Sequence, residues 1–206
     1  MKIAFNTLLF LFFSVSICLA QSFADETNKF REHYKKEFLT TGNSPLKKKD
    51  LPYLRFYEPD SAFKVKARFE KVKGQPFEMP TYSGINKTYV RYGILKFRVN
   101  GRRQTLTVYR SLSLQANAKY KDYLFIPFKD KTNGSESYGG GRYIDLKTTD
   151  IKDNSYVIDF NKAYNPYCAY SVGYNCPIPP SANHLAVPIS AGEKKFGKES
   201  EEASLK

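Results

Sequence analysis

The chain is 206 residues long, and 33 Lys and Arg against 20 Asp and Glu leave a net charge of +13. That length suits one domain, or two small ones, with a real hydrophobic core. Two histidines and three cysteines, with no short Cys-x-x-Cys step, argue against a zinc centre, and no metal or cofactor is expected.

The first twenty residues, "MKIAFNTLLFLFFSVSICLA", have the three parts of a secretory signal. Lys2 is the positive start, Leu8 to Ile17 the apolar stretch, and Cys18-Leu19-Ala20 the small-residue cleavage site. The stretch falls short of the ~20 apolar residues that span a bilayer. Ile17 before Cys18 does not fit a lipoprotein signal. Residues 1–20 are therefore read as a signal peptide, and the protein as exported to the periplasm or beyond the cell. No later segment is apolar enough to cross a membrane as a helix.

Residues 21–44 form a helical segment. Asp25 is placed as its N-cap, and Phe30, Tyr34 and Phe38 recur every fourth residue among charges. His33 falls on the charged face of this helix. Thr41-Gly42-Asn43-Ser44-Pro45 stops it, and "KKKD" (47–50) is a charged loop. A single β-rich domain is expected over residues 45–192, beginning near Leu54 to Tyr57, with a polar tail over 193–206.

Period two dominates the domain. In "FKVKARFE", Phe63, Val65, Ala67 and Phe69 alternate with Lys64, Lys66, Arg68 and Glu70. Leu95, Phe97 and Val99 alternate with Lys96 and Arg98, and Asn100-Gly101 is the favoured type I′ hairpin pair before a return strand at Thr105 to Tyr109. "YLFIPF" (123–128), "RYIDL" (142–146), "YVIDF" (156–160) and "LAVPI" (185–189) read as further strands. Together they predict a mainly β chain, an antiparallel β-sandwich or barrel-like domain with one N-terminal α-helix. An outer-membrane barrel is disfavoured, because lysine and arginine occupy the alternate strand face.

So basic a chain could meet nucleic acid, an anionic surface or an acidic glycan. The cations are spread along strand faces, however, and export argues further against nucleic acid. The simpler expectation is a solvated face whose lysines guard strand edges against pairing.

Two segments carry most of the candidate chemistry. In "FKDKTNGSESYGGGRYIDL", Gly139, Gly140 and Gly141 allow close backbone approach or positive φ, and Arg142 follows at once. Free amides beside a guanidinium suit a carboxylate or phosphate, with Asp130 and Tyr138 nearby. The competing structural reading is a tight turn with Arg142 paired to Asp130 or Asp145. In "DFNKAYNPYCAYSVGYNC", Asp159, Asn161 and Asn165 precede Cys168 and Cys176. Once Cys18 is removed these two cysteines are an even pair in an oxidising compartment, which favours a disulfide. Two buried inert thiols and a reactive Cys168 remain alternatives, the last with His184 after "CPIPPSAN" as a conceivable partner. No nucleophile loop accompanies them, and no catalytic residue is assigned.

The stretches "YLFIPFKDKTNGSESYGGGRYIDL" and "DFNKAYNPYCAYSVGYNCPIPPSANHLAVPISAGEKKF", with "SPL" and "DLPYLRFYEPDSAFKVKARF" upstream, closely resemble the bacterial family catalogued as domain of unknown function 1684. The resemblance covers most of the chain after the signal. Its matched positions are Asp130, the Gly139 to Arg142 turn, Asp159, Asn161, Asn165, Cys168, Cys176 and Glu193. It departs at Ala182-Asn183-His184 and so implies no role for His184, and it implies no mechanism. Three readings follow: a protein binding a small or anionic ligand through the glycine turn and the Asp/Asn/Tyr motif, an enzyme using carboxylates such as Asp130 and Asp159 or a cysteine, or an interaction protein using its basic face. The first is favoured, because no nucleophile–base pair stands out.

The signal reading fixes one outcome. Intact-mass measurement of exported protein should give a chain starting at Gln21; an intact N-terminus or a lipid on Cys18 would overturn it.

Overall fold

The computed structural model describes the backbone of residues 2–198 and the side chains of residues 21–198. One long helix, α1 (Lys2–Thr40), precedes seven strands: β1 (Lys64–Lys71), β2 (Phe77–Met79), β3 (Lys87–Val99), β4 (Arg102–Ser111), β5 (Tyr123–Phe128), β6 (Arg142–Lys147) and β7 (Ser155–Asp159). A four-residue helix, α2 (Leu112–Gln115), links β4 to β5. No described helix is long and apolar enough to cross a membrane.

All seven strands join one antiparallel sheet in the order β6-β5-β4-β3-β1-β7, with β2 beside β3, curled into a half-barrel. The expected mainly β architecture with one N-terminal helix is therefore what the chain adopts. Alternate residues supply the core, Ala67, Leu95, Leu106, Leu124, Ile126 and Ile158 being wholly buried on the inner face. The hairpin between β3 and β4 turns where predicted, with φ of 50° at Asn100 and 73° at Gly101, the double positive φ of a type I′ turn.

Several boundaries differ from expectation. Helix α1 runs through Asp25 without a break, so Asp25 caps nothing and instead accepts from the Gln21 side chain at 3.1 Å. Residues upstream already supply the carbonyls that a cap would replace. Leu54 to Tyr57 contributes only a bridge from Phe56 to Glu193, and the sheet begins at Lys64. "LAVPI" alternates as read, with Leu185, Val187 and Ile189 buried, but it adds no sheet strand. It runs parallel to residues 129–131, with Leu185 N–H donating to Lys129 O at 2.8 Å and Lys131 N–H to Val187 O at 3.2 Å. The ladder ends where the next donor, Ile189 N–H, turns to the Asp130 side chain at 3.1 Å.

The tail is shorter than expected. Glu193 is wholly buried, Lys195 N–H donates to Glu136 O at 2.9 Å, and Gly197 N–H to Tyr53 O at 2.9 Å. Residues 199–206 of the expected tail lie outside the described residues.

A sequence proline also shapes the sheet. Pro127 interrupts the donors of β5, and the β4–β5 pairing is reduced to Tyr109 opposite Phe125. The buried Asn183 side chain bridges the gap. Its amide donates to Thr107 O (2.9 Å) and Pro127 O (2.8 Å), and its oxygen accepts from Thr107 N–H (2.7 Å).

The cationic rows do not guard edges. The edges are β6 and β7, whereas the lysines and arginines lie on the interior strands β1, β3 and β4. Arg98 stands directly opposite Arg103, and Arg68 opposite Lys96. Among the described residues Glu70 alone relieves the second pair, 2.8 Å from Lys96 and 3.8 Å from Arg68.

Candidate functional site

The glycine turn behaves as the structural reading held. Arg142 opens β6 pointing inward and is wholly buried. Its guanidinium donates to Asp130 Oδ2 (2.8 Å), Ile189 O (2.8 Å), Glu193 O (3.3 Å) and Ala191 O. Asp130 Oδ1 accepts in turn from Thr132 N–H (2.8 Å), Thr132 Oγ1 (2.7 Å) and Ile189 N–H (3.1 Å). Every acceptor here belongs to the protein, and the two terminal guanidinium nitrogens are satisfied by them, while the buried Nε has no partner. Asp145 is not the partner: three positions along a strand, it faces the other way. Gly141 makes the approach feasible, with φ at 97° and a would-be Cβ only 2.6 Å from Phe128 O.

The other predicted positions divide. Tyr138 hydroxyl donates to Cys168 O at 3.4 Å, and Gly140 O accepts from Tyr82 hydroxyl at 3.0 Å. Asn161 braces residue 60 with paired 2.9 Å bonds and donates to Asp159 Oδ1 at 3.0 Å. Asn165 donates its N–H to Glu193 Oε2 (2.9 Å) and its amide to Lys194 O (2.8 Å). Cys168 and Cys176 lie at disulfide distance, with Cα atoms 6.3 Å apart. Among the described residues no three His, Cys, Asp or Glu side chains form a metal-holding group.

A cleft of about 720 Å³ lies elsewhere. The half-barrel leaves its two edge strands apart. Residues from β6 (Tyr143, Asp145) and β7 (Tyr156, Asp159) line the cleft, α1 lies across it, and the disulfide segment closes one end with Cys176. Of the ligand-contact candidates read from sequence, Asp159 alone lines it. Asp130, Arg142, Asn161 and Asn165 do not, so Asp130 and Asp159 do not converge there as an acid–base pair. His33 sits at its rim, 3.5 Å from Glu37, while His184 is exposed and bonded to Pro179 O at 3.1 Å.

Aromatic rings form a continuous wall. Phe125 and Tyr143 meet edge-on at 4.7 Å, Tyr143 and Tyr164 edge-on at 5.8 Å, and Tyr34 of α1 lies 6.0 Å from Tyr164. Tyr123 and Tyr164 hydroxyls both donate to Asp145 Oδ1 at 2.8 Å. Solvent reaches Asp145, yet the cleft walls surround it; this partial desolvation raises its pKa, Glu37 adds to the rise, and the two hydroxyls oppose it. Burial likewise pushes Tyr89 up to about 12.

Behind the α1 side of this wall a second carboxylate is sealed. Glu193 Oε1 accepts from Tyr170 hydroxyl (2.6 Å) and Oε2 from Tyr34 hydroxyl (3.0 Å) and Asn165 N–H. Burial dominates these bonds and pushes its pKa up to about 7.

Residues 49–194 match the family described as Protein of unknown function (DUF1684). The chain belongs to that family. The DUF1684 match takes in both cysteines, the Arg142–Asp130 pair and the strand-borne part of the cleft, and leaves α1 outside it. The fold is also similar to the solution NMR structure of an uncharacterized protein of Haloarcula marismortui, at 30% sequence identity and a TM-score of 0.64, covering 84% of this chain and 95% of that one. No curated protein matches the chain. In the sequence Asp145 stood out only as a possible partner for Arg142, and the cleft tyrosines are scattered from residue 34 to residue 174. The one local signal was a carboxylate on the outer face of β6 flanked by a tyrosine two residues away.

Two substitutions test these carboxylate sites. Arg142→Lys keeps one charge but loses the planar fork, and should destabilise the fold by about 2–4 kcal/mol in denaturant melts; an unchanged midpoint would remove Arg142 from this role. Glu193 has a folded pKa above its unfolded value, so its stabilising contribution is full in acid and is lost as pH rises through about 7. Glu193→Gln should therefore gain on the wild type between pH 5 and pH 8, by order of 2–3 kcal/mol. Parallel stability curves across that range would contradict the assignment.

Proposed function

We propose that this DUF1684 protein is an exported small-molecule-binding protein whose ligand occupies the tyrosine-lined cleft. The observation that carries the reading is the cleft itself. It has the size of a small-ligand site, mostly aromatic walls and a few placed polar groups. The Asp/Asn/Tyr segment serves it through Asp159, Lys162 and Tyr164, while the glycine turn holds the scaffold behind it. Export rests on the signal-like start, and the disulfide-distance cysteines fit an oxidising compartment.

The test is fragment screening by NMR on the chain from Gln21. Bound aromatic fragments should shift the ring signals of Tyr143, Tyr164 and Tyr34 together. Shifts confined to the basic strands β1, β3 and β4, or none across a broad library, would sink the reading.

A further inference from the structure

The cleft holds one carboxylate whose hydrogen-bonding capacity is half used. Asp145 Oδ1 is held by the Tyr123 and Tyr164 hydroxyls, while Oδ2 has no hydrogen-bond or ion-pair partner among the described residues. No Lys, Arg or His of the described residues comes within ion-pair distance of it. The charged side chain acting on it most is Glu37, another carboxylate.

The cleft lysines are otherwise engaged. Lys87 donates to Asn175 O at 2.7 Å, and Lys162 lies 3.3 Å from Glu26 and 3.7 Å from Asp159. Lys87 keeps its charge, since a carbonyl does not neutralise it, but it makes no ion pair with Asp145, on which Glu37 is the charged side chain that acts. The rings around it, Phe125, Tyr143 and Tyr164, are packed edge-on, and such ring faces attract a cation.

Resting on the cleft being a ligand site, we propose that its ligand is a primary or secondary amine with an apolar or aromatic body. The ammonium donates to Asp145 Oδ2, and the body lies against the tyrosine wall. A carboxylate ligand would face Asp145 and Glu37 with like charge. A neutral hydroxyl would satisfy Oδ2 but leave the carboxylate's charge unmatched. Desolvation by the cleft walls, with Glu37 beside them, raises the Asp145 pKa, and an ammonium on Oδ2 would oppose that rise. The two tyrosine hydroxyls fix the carboxylate in advance, so little side-chain freedom is lost on binding.

A matched set of probes tests this on the chain from Gln21: 2-phenylethylamine, 2-phenylethanol and phenylacetate, each titrated by NMR. The amine should bind about tenfold or more tighter than the alcohol, with phenylacetate weakest. Asp145→Asn, a change at a solvent-reached position, should bring amine and alcohol to similar affinity with the melting temperature preserved. Alcohol or acid binding as well as the amine, with Tyr143 and Tyr164 signals still shifting, overturns the amine and leaves the cleft reading standing. Amine preference that survives Asp145→Asn overturns Asp145 as the recognising group. Absence of binding by all three into the millimolar range overturns both readings.

Discussion

A guanidinium shut inside a β core has to be neutralised on the spot, and around Arg142 the rest of the molecule is organised to do so. Leaving that charge unpaired in the interior would cost several kcal/mol. The chain meets it with Asp130 and three backbone carbonyls from residues 189–193. To bring those carbonyls in, the C-terminal segment must wrap along residues 129–131 and cannot leave as a tail. Glu193 arrives with it, and through Tyr34 it fixes α1. The roof of the cleft is therefore held indirectly by a charge pair on the other face of β6.

The two tyrosine-bound carboxylates invite comparison. Glu193 takes two hydroxyls and a backbone amide, is wholly buried and has both oxygens occupied. Asp145 takes two hydroxyls on one oxygen and leaves the other open. Like chemistry thus closes a carboxylate off in one place and leaves one oxygen open in the other. The wealth of tyrosine in the chain, 16 residues with no tryptophan, fits this use. A tyrosine ring packs like phenylalanine while its hydroxyl settles a buried acid.

Much of the sheet was legible because its signals are local. Alternation at 63–69 and 95–99 and the Asn100-Gly101 pair specify strands and a turn within a few residues of themselves. The sequence left Arg142 between Asp130 and Asp145, and the structure settles on Asp130 because Asp145, three positions along the same strand, faces the other way. The order of strands is not local, so the cationic rows could be taken for edges when they are central. The repair of Pro127 by Asn183 joins residues 56 apart in sequence, and no spacing rule announces it. The cleft is more hidden still, since its walls come from α1, both sheet edges and the disulfide segment.

The like-signed rungs of β1, β3 and β4 bear on how the molecule responds to its medium. Arg98 opposite Arg103 is an exposed repulsion beside the turn that joins the interior strands β3 and β4. Dissolved counter-ions weaken such a repulsion over a Debye length of about 8 Å at physiological ionic strength. The Arg142–Asp130 pair is shielded from solvent and scarcely feels them. Added salt therefore relieves the exposed strain without loosening the interior, and this fold is one that brine should tighten.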